Sequence, residues 1–188
     1  MSDTNPVPDR REQLLTLAYA YVREQGLTDL SLRPLAAAIG SSPRVLLFLF
    51  GSKDGLIRAL LARARADELA LLAGTPATDG LPAAASAVWG WLSDEENRPL
   101  LRLWVEAYAR SLTGRDGPWS GFAAATVADW LDVLAQAQPA TERDTPGGLA
   151  ARTAVLAVLR GGLLDLLATG DTARTTAAIS SSIARAGP

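Results

Sequence analysis

"SSPRVLLFLFGSK", Ser41–Lys53, decides how the chain is read. Ser42 followed by Pro43 is a helix start: a hydroxyl at the N-cap, then a proline at the first helical position, where its missing N–H costs nothing. Leu46 to Phe50 are then five large apolar residues in succession. A helix buried on one side only would place polar residues on the other at a 3.6-residue period. At 100° per residue, Val45, Leu46, Leu49 and Phe50 fall on one face, and Pro43, Arg44, Leu47 and Phe48 on the opposite one. The first set is expected to pack inward. The second apolar face needs another use.

The flanking residues supply a context. "PDRREQLLTLAYAYVREQG" starts at a cap, Asp9, and stops at Gly26, with Leu14, Leu17, Ala18, Tyr21 and Val22 spaced as one apolar helical face. Ser31 is placed to cap a second helix whose buried stripe is Leu32, Leu35, Ala36 and Ile39. Gly40 ends it, in the left-handed conformation that glycine adopts freely. Two short helices joined by a tight glycine turn are the pattern of a helix-turn-helix, and the small Ala36 and Ala37 permit close approach of its helices. Many helical hairpins share that pattern, so it opens two readings: insertion into DNA, or plain helix packing.

Composition narrows the chemistry. The 188 residues contain no Cys and no His, which removes disulfides, most zinc and haem sites, thiol nucleophiles and histidine bases. "MSDTNPVPDRR" is polar and lacks an apolar signal core. The longest apolar candidate, Leu149 to Leu167, contains Arg152, Arg160 and Asp165. These features lead to the expectation of a soluble, cytoplasmic protein with no membrane association. The net charge of −2 is unevenly spread, with residues 1–65 at +3 and residues 66–188 at −5. A mildly basic head on an acidic body suits an anionic partner at the head.

The body reads as helix throughout, with no lasting apolar/polar alternation and no internal repeat. Lys53 to about Ala73 is a long helix with Leu56, Leu60, Ala64 and Leu71 as its apolar points, and "TPATDG", residues 75–80, is a loop. Further helices are expected at about 81–93, 96–113, 119–137, 148–169 and 172–185, with linkers at Gly114–Pro118 and Pro139–Gly148. All five tryptophans lie in this body. Trp89, Trp104, Tyr108, Trp119, Phe122 and Trp130 are candidates to line a cavity for a flat or apolar small molecule, the alternative for each being ordinary core. Residues 154–167 are apolar nearly all the way round, which calls for cover on two sides. Gly161 and Gly162 would let a second helix come close.

"LSLRPLAAAIGSSPRVLLFLFGSKDGLIRAL", Leu30–Leu60, resembles the DNA-binding head of the TetR family of bacterial repressors. Ser31, Leu32, Arg33, Leu35, Ala36, Gly40, Ser42, Leu46, Phe50, Ser52, Lys53 and Leu56 fit the family pattern in register, and helix one fits in length and position. The likeness covers about residues 10–60. Two departures stand out: Leu47 and Leu49 occupy positions where the family often has tyrosine and histidine, which hold DNA phosphates.

The resemblance implies an all-α protein. A three-helix helix-turn-helix head, residues 1–53, would precede a helical-bundle domain for ligand binding and dimerisation, residues 54–188. It implies DNA contacts from Ser31, Arg33, Ser42, Pro43, Arg44, Leu47, Phe48 and Lys53. Arg44 would pair with guanine or a phosphate, and Leu47 and Phe48 would meet thymine methyls. It further implies a two-fold homodimer through the last two helices, for which Leu156, Leu159, Leu163, Leu166, Ile179 and Ile183 are the candidate contacts. No cofactor, metal or catalytic residue is implied.

The function expected is therefore a ligand-responsive transcriptional regulator, by family habit a repressor. It would bind a near-palindromic double-stranded operator with half-sites about one turn of DNA apart, and a small apolar or aromatic ligand of unknown identity would control it. Two readings compete. The missing tyrosine and histidine suit a TetR-like protein that has lost DNA binding and acts through protein contacts. An all-α enzyme would have to work with Asp, Glu, Tyr and the single lysine, Lys53, which sits in the head.

Overall fold

In the computed structural model, which describes residues 9–27, 29–73, 80–114 and 116–185, the described residues form ten α-helices and one short 3-10 turn, with no strand. The helices are α1 (Arg10–Gln25), α2 (Leu32–Ala38), α3 (Pro43–Phe50), α4 (Lys53–Ala73), α5 (Leu81–Ser93), α6 (Arg98–Thr113), α7 (Phe122–Gln136), α8 (Ala140–Arg143), α9 (Pro146–Thr169) and α10 (Thr172–Arg185). The expected boundaries hold to within about three residues, because they rest on caps and breakers. Helix α8 is an addition, a single turn inside what composition marks as a linker. The side chain of Leu71 and residues 75–79 of the expected "TPATDG" loop lie outside the described residues.

The chain divides into two compact units: Met1–Ala64 with Arg102–Phe122, and Arg65–Leu101 with Ala123–Pro188. The core of the first is built on i, i+4 pairs. Leu14, Ala18 and Val22 of α1, Leu35 and Ala36 of α2, Leu46 and Phe50 of α3, and Leu56 and Leu60 of α4 are all buried. Helix α1 is rotated slightly from expectation. Leu15 and Tyr19 are buried, whereas Leu17 is 47% exposed and Tyr21 only half-buried. The aromatic ring of Tyr19 explains the rotation, since the guanidinium groups of Arg23 and Arg63 lie 5.9 and 5.8 Å from its centroid, and Arg63 also pairs with Glu12 at 3.0 Å.

In the second unit α5, α9 and α10 pack on one another. Gly162 is what lets them do so: a Cβ there would lie 2.5 Å from Ile179 Cδ1 and 3.0 Å from Trp89 Cζ3. The close helix at Gly162 is thus α10 of the same chain, while around Gly161 nothing lies within 4 Å. The indole N–H of Trp89 donates to Thr176 Oγ1 at 3.0 Å, locking α5 to α10. Arg174 at the start of α10 forks onto Asp165 of α9 at 2.7 and 2.8 Å, an exposed pair.

A buried carboxyl in this unit lies beside a half-buried ion pair. Glu68 of α4 is 5% exposed and accepts a 2.6 Å hydrogen bond from the indole N–H of Trp130. Beside it the guanidinium of Arg65 grips both carboxylate oxygens of Asp129, one of them at 2.7 Å. Loss of hydration pushes the Glu68 carboxyl up to about 7. The hydrogen bond from Trp130 and the charges of Arg160 and Arg65 oppose the rise, and the negative charge of Asp129 adds to it.

The cluster makes a stability prediction. Below about pH 4.5 Glu68 is protonated in both folded and unfolded chains. As pH rises towards 7 the unfolded chain ionises and the folded one resists, so stability falls over this window and levels off above it. The loss is about 3 kcal/mol. Glu68→Gln keeps a carbonyl for Trp130 but cannot titrate. Its stability relative to the parent, measured by thermal denaturation, should improve from pH 5 to about pH 7 and level off towards pH 8; a constant difference would refute the assignment.

Candidate nucleic-acid interface and ligand-binding unit

The turn between α2 and α3 is built as the sequence requires. Gly40 takes φ +62°, a conformation that a side chain would strain, and the two helix axes are bent by 102° across it. Ser42 caps α3, its Oγ accepting from the N–H of Val45 at 3.3 Å. Ser31 sits at the N-cap of α2, but its hydroxyl makes no capping hydrogen bond. Ser52 does cap the next helix, accepting from Gly55 N–H at 2.9 Å; the sequence offered it only as a family match.

Burial resolves the run of five apolar residues. Leu46 and Phe50 go into the core, and the guanidinium of Arg11 lies 4.9 Å above the Phe50 ring. Leu49 is half-buried. Phe48 is 86% exposed and Leu47 41%. Val45, expected inside, is 38% exposed and borders them. The reason is that an eight-residue helix offers two turns to the core, and Leu46 with Phe50 fills both. Of the residues expected at DNA, Ser31, Arg33, Ser42, Arg44, Leu47, Phe48 and Lys53 are exposed and Pro43 is half-buried. Arg44, Leu47 and Phe48 share one helical face by their i, i+3, i+4 spacing. Arg33 and Arg44 stand at the second position of α2 and α3, and Lys53 at the first position of α4.

The first unit also holds a cleft of about 300 Å³ lined by Tyr21, Gln25, Asp29, Leu30, Ser31, Pro34 and Glu106, among others. Its Glu106, from α6, accepts a 2.9 Å hydrogen bond from the N–H of Leu27 in the connector after α1. The two partners lie 79 residues apart in the chain, beyond the reach of any local sequence pattern.

The aromatic candidates divide between the units. In the first, Trp104 stacks on Tyr108 with ring centroids 4.9 Å apart, Phe122 is buried and Trp119 half-buried. In the second, Trp89 and Trp130 are buried, one bonded to Thr176 and the other to Glu68. The described part of the second unit also has an apolar groove of about 190 Å³ lined by Leu81, Pro82, Ala151, Ala154, Val155 and Ile183. Among the described residues no group of three carboxylates could hold a metal ion, and no single helix is long and apolar enough to cross a membrane.

The expected dimer contacts need correction. Leu156, Leu159, Leu163, Leu166, Ile179 and Ile183 are all buried within the chain itself. They are the inner faces of α9 and α10, which pack on each other and on α5. A helix with two apolar faces gives one to the internal core and one to a partner, and large side chains are what the internal core takes first. The outward face of α9 instead carries Ala150, Ala154, Ala157, Gly161, Leu164 and Ala168, all exposed.

No family model matches the chain. Among curated proteins, the HTH-type transcriptional regulator BetI of Stenotrophomonas maltophilia (strain R551-3) is 32% identical over 117 residues, 56% of each chain. The chain thus aligns with a little over half the length of that relative. Among solved structures, a transcriptional regulator of Rhodococcus sp. Rha1 superposes with a TM-score of 0.78 at 19% identity, covering 94% of this chain and 95% of the other. The multidrug binding protein EbrR in complex with imidazole gives 0.72 at 24% identity, covering 97% and 92%. A TetR transcription regulator from Haloarcula marismortui ATCC 43049 gives 0.68 at 16%, covering 94% and 95%. The chain has the fold of the TetR-family transcriptional regulators, and the HTH-type transcriptional regulator BetI is a relative in sequence over a little more than half its length.

Proposed function

We propose that the protein is a ligand-responsive transcriptional regulator that binds a near-palindromic operator as a homodimer and represses from it. The observation that carries the reading is the capped helix α3, held across a 102° turn from α2 with Arg44, Leu47 and Phe48 facing outward. A second helix presented in this way enters the major groove, while flanking groups fix it on the phosphates. Residues 1–53 form the DNA-binding domain in this reading. Arg33 and Lys53 hold phosphates, and Arg44 reaches a guanine edge or a phosphate.

The likeness to EbrR, solved with imidazole, proflavin, ethidium and malachite green, supports an apolar or aromatic ligand for the body, residues 54–188. Such a ligand releases DNA only by preferring the state in which the two heads no longer match the operator. The curated relative and the fold both favour regulation over catalysis.

The homodimer forms through the outward face of α9, with α10 beside it. Alanine and glycine along Ala150, Ala154, Ala157 and Gly161 allow a partner helix to approach closely, and Leu164, 53% exposed, supplies the apolar contact. Leu164→Glu should then shift sedimentation from dimer to monomer and leave the protomer folded. Leu163→Ala, on the inner face, should cost about 2–5 kcal/mol of protomer stability instead. A dimer unaffected by Leu164→Glu overturns this choice of face.

The test of the whole reading is selection of duplexes from a random-sequence DNA pool by the purified protein. Arg44→Ala should cost about 1–3 kcal/mol and relax preference at one position if Arg44 reads a base. Lys53→Ala should weaken all duplexes alike and reduce the salt slope by about one unit. Failure to enrich any sequence would favour the reading in which the missing tyrosine and histidine have ended DNA binding.

A further inference from the structure

Helix α3 presents more apolar surface than groove entry alone explains. Phe48 is 86% exposed and Leu47 41%, and the two share an outward face with Arg44; Val45, 38% exposed, borders Phe48 on its other side. This apolar surface has few polar alternatives beside it. The Ser42 hydroxyl is occupied in capping Val45 N–H, and Arg44 is the one charged side chain within α3. Between Ser31 and Gly55 the sequence contains three cations, Arg33, Arg44 and Lys53, against a single acid, Asp54. All three cations are exposed and stand within the first two positions of their helices. An apolar ridge bordered by fixed cations is complementary to a polyanion whose interior edge carries apolar groups. Duplex DNA is such a surface, and the apolar group on its major-groove edge is the methyl at C5 of thymine.

We infer that Phe48 is a specificity-determining residue of this protein and that it reads a pyrimidine C5-methyl group, supplied by thymine or equally by 5-methylcytosine. This rests on the DNA-binding reading above and deepens it. The argument is one of chemistry. An aromatic ring has no donor or acceptor in its plane with which to tell bases apart. It does gain from covering a methyl group, and loses that gain when the methyl is a hydrogen. 5-Methylcytosine places its methyl at the same carbon, facing the same groove. A ring that recognises only the methyl therefore accepts both bases, whereas a reader of the thymine O4 acceptor would reject the cytosine amino group. Binding by this protein would consequently respond to methylation of cytosine at one position of each half-site.

The probe is the duplex enriched by the purified protein from a random-sequence pool. In that duplex each thymine is replaced in turn by deoxyuridine, which removes only the methyl. One thymine in each half-site should show about a fourfold loss of affinity on replacement, the gain expected from a single covered methyl. At that position a C·G pair should bind more weakly than T·A, and 5-methylcytosine should recover about fourfold over cytosine. In Phe48→Ala the difference between thymine and uracil should vanish, and in Phe48→Leu it should persist in reduced form. Phe48 packs on almost nothing, so both variants should melt with the parent, which a thermal scan verifies. Uracil tolerated at every thymine, or a methyl dependence that survives in Phe48→Ala, overturns the inference while leaving DNA binding intact. A pool that yields no enriched duplex overturns the functional reading and this inference together.

Discussion

The head depends on how Leu46 and Phe50 are buried. Helix α3 carries large apolar residues on both faces, so apolar character alone does not say which of them is buried. What orients it is the i, i+4 pair that fits the space above α1 and α2, together with the Ser42 cap that fixes where the first turn begins. Once those two side chains are inside, the 3.6-residue period leaves Leu47 and Phe48 no choice but to point away. Exposing a phenylalanine almost completely forgoes about 1.5–3 kcal/mol of burial. The fold accepts that loss at one of the few points where the surface is needed for something other than stability.

The same constraint acts on α9 and resolves it differently. There the large residues, Leu156, Leu159, Leu163 and Leu166, are taken by the internal core with α5 and α10, and the outward face is left to alanine and glycine. Small side chains bury little area per residue but let helix backbones approach, so contact comes from closeness instead of bulk. In α3 the outward face is bulky and presents one ring, Phe48; in α9 it is smooth apart from Leu164. One face suits insertion into a groove and the other suits parallel packing of helices, which agrees with the roles proposed for them.

How far the sequence could be read follows from the range of each interaction. Helices and their limits were legible because caps and breakers act over three or four residues: Ser42 with Pro43 before α3, Gly26 after α1, Gly40 in the turn. The all-α class and the helix-turn-helix followed from these. Periodicity served less well where both sides of a helix are apolar. It put Val45 inside and Leu17 inside, and in α9 it could not say which of two apolar faces the internal core takes. Contacts between distant segments were not legible at all. Glu68 meets Trp130 across 62 residues, and nothing in "RARADELALL" distinguishes it from a solvated glutamate until burial removes its water. The DNA candidates rest on family register together with the helical period that separates the two faces of α3; the structure places all but the half-buried Pro43 on the surface.

Glu106 shows why the first compact unit extends beyond residues 1–53. The N–H of Leu27 lies just past the end of α1, too late for the helix to use, and Leu27 itself is 1% exposed. A buried backbone donor without an acceptor costs about as much as a lost hydrogen bond, roughly 1–3 kcal/mol. The acceptor comes from α6, whose Glu106 Oε2 reaches it at 2.9 Å. Gly26 keeps this approach open, since a Cβ there would stand 3.2 Å from the same carboxylate oxygen. The connector that sets where α2 begins is therefore satisfied by a helix that follows it by more than seventy residues. Any movement of α6 that withdrew Glu106 would leave that donor buried and unpaired, so the position of α6 and the position of α2 are tied by an energy of that size.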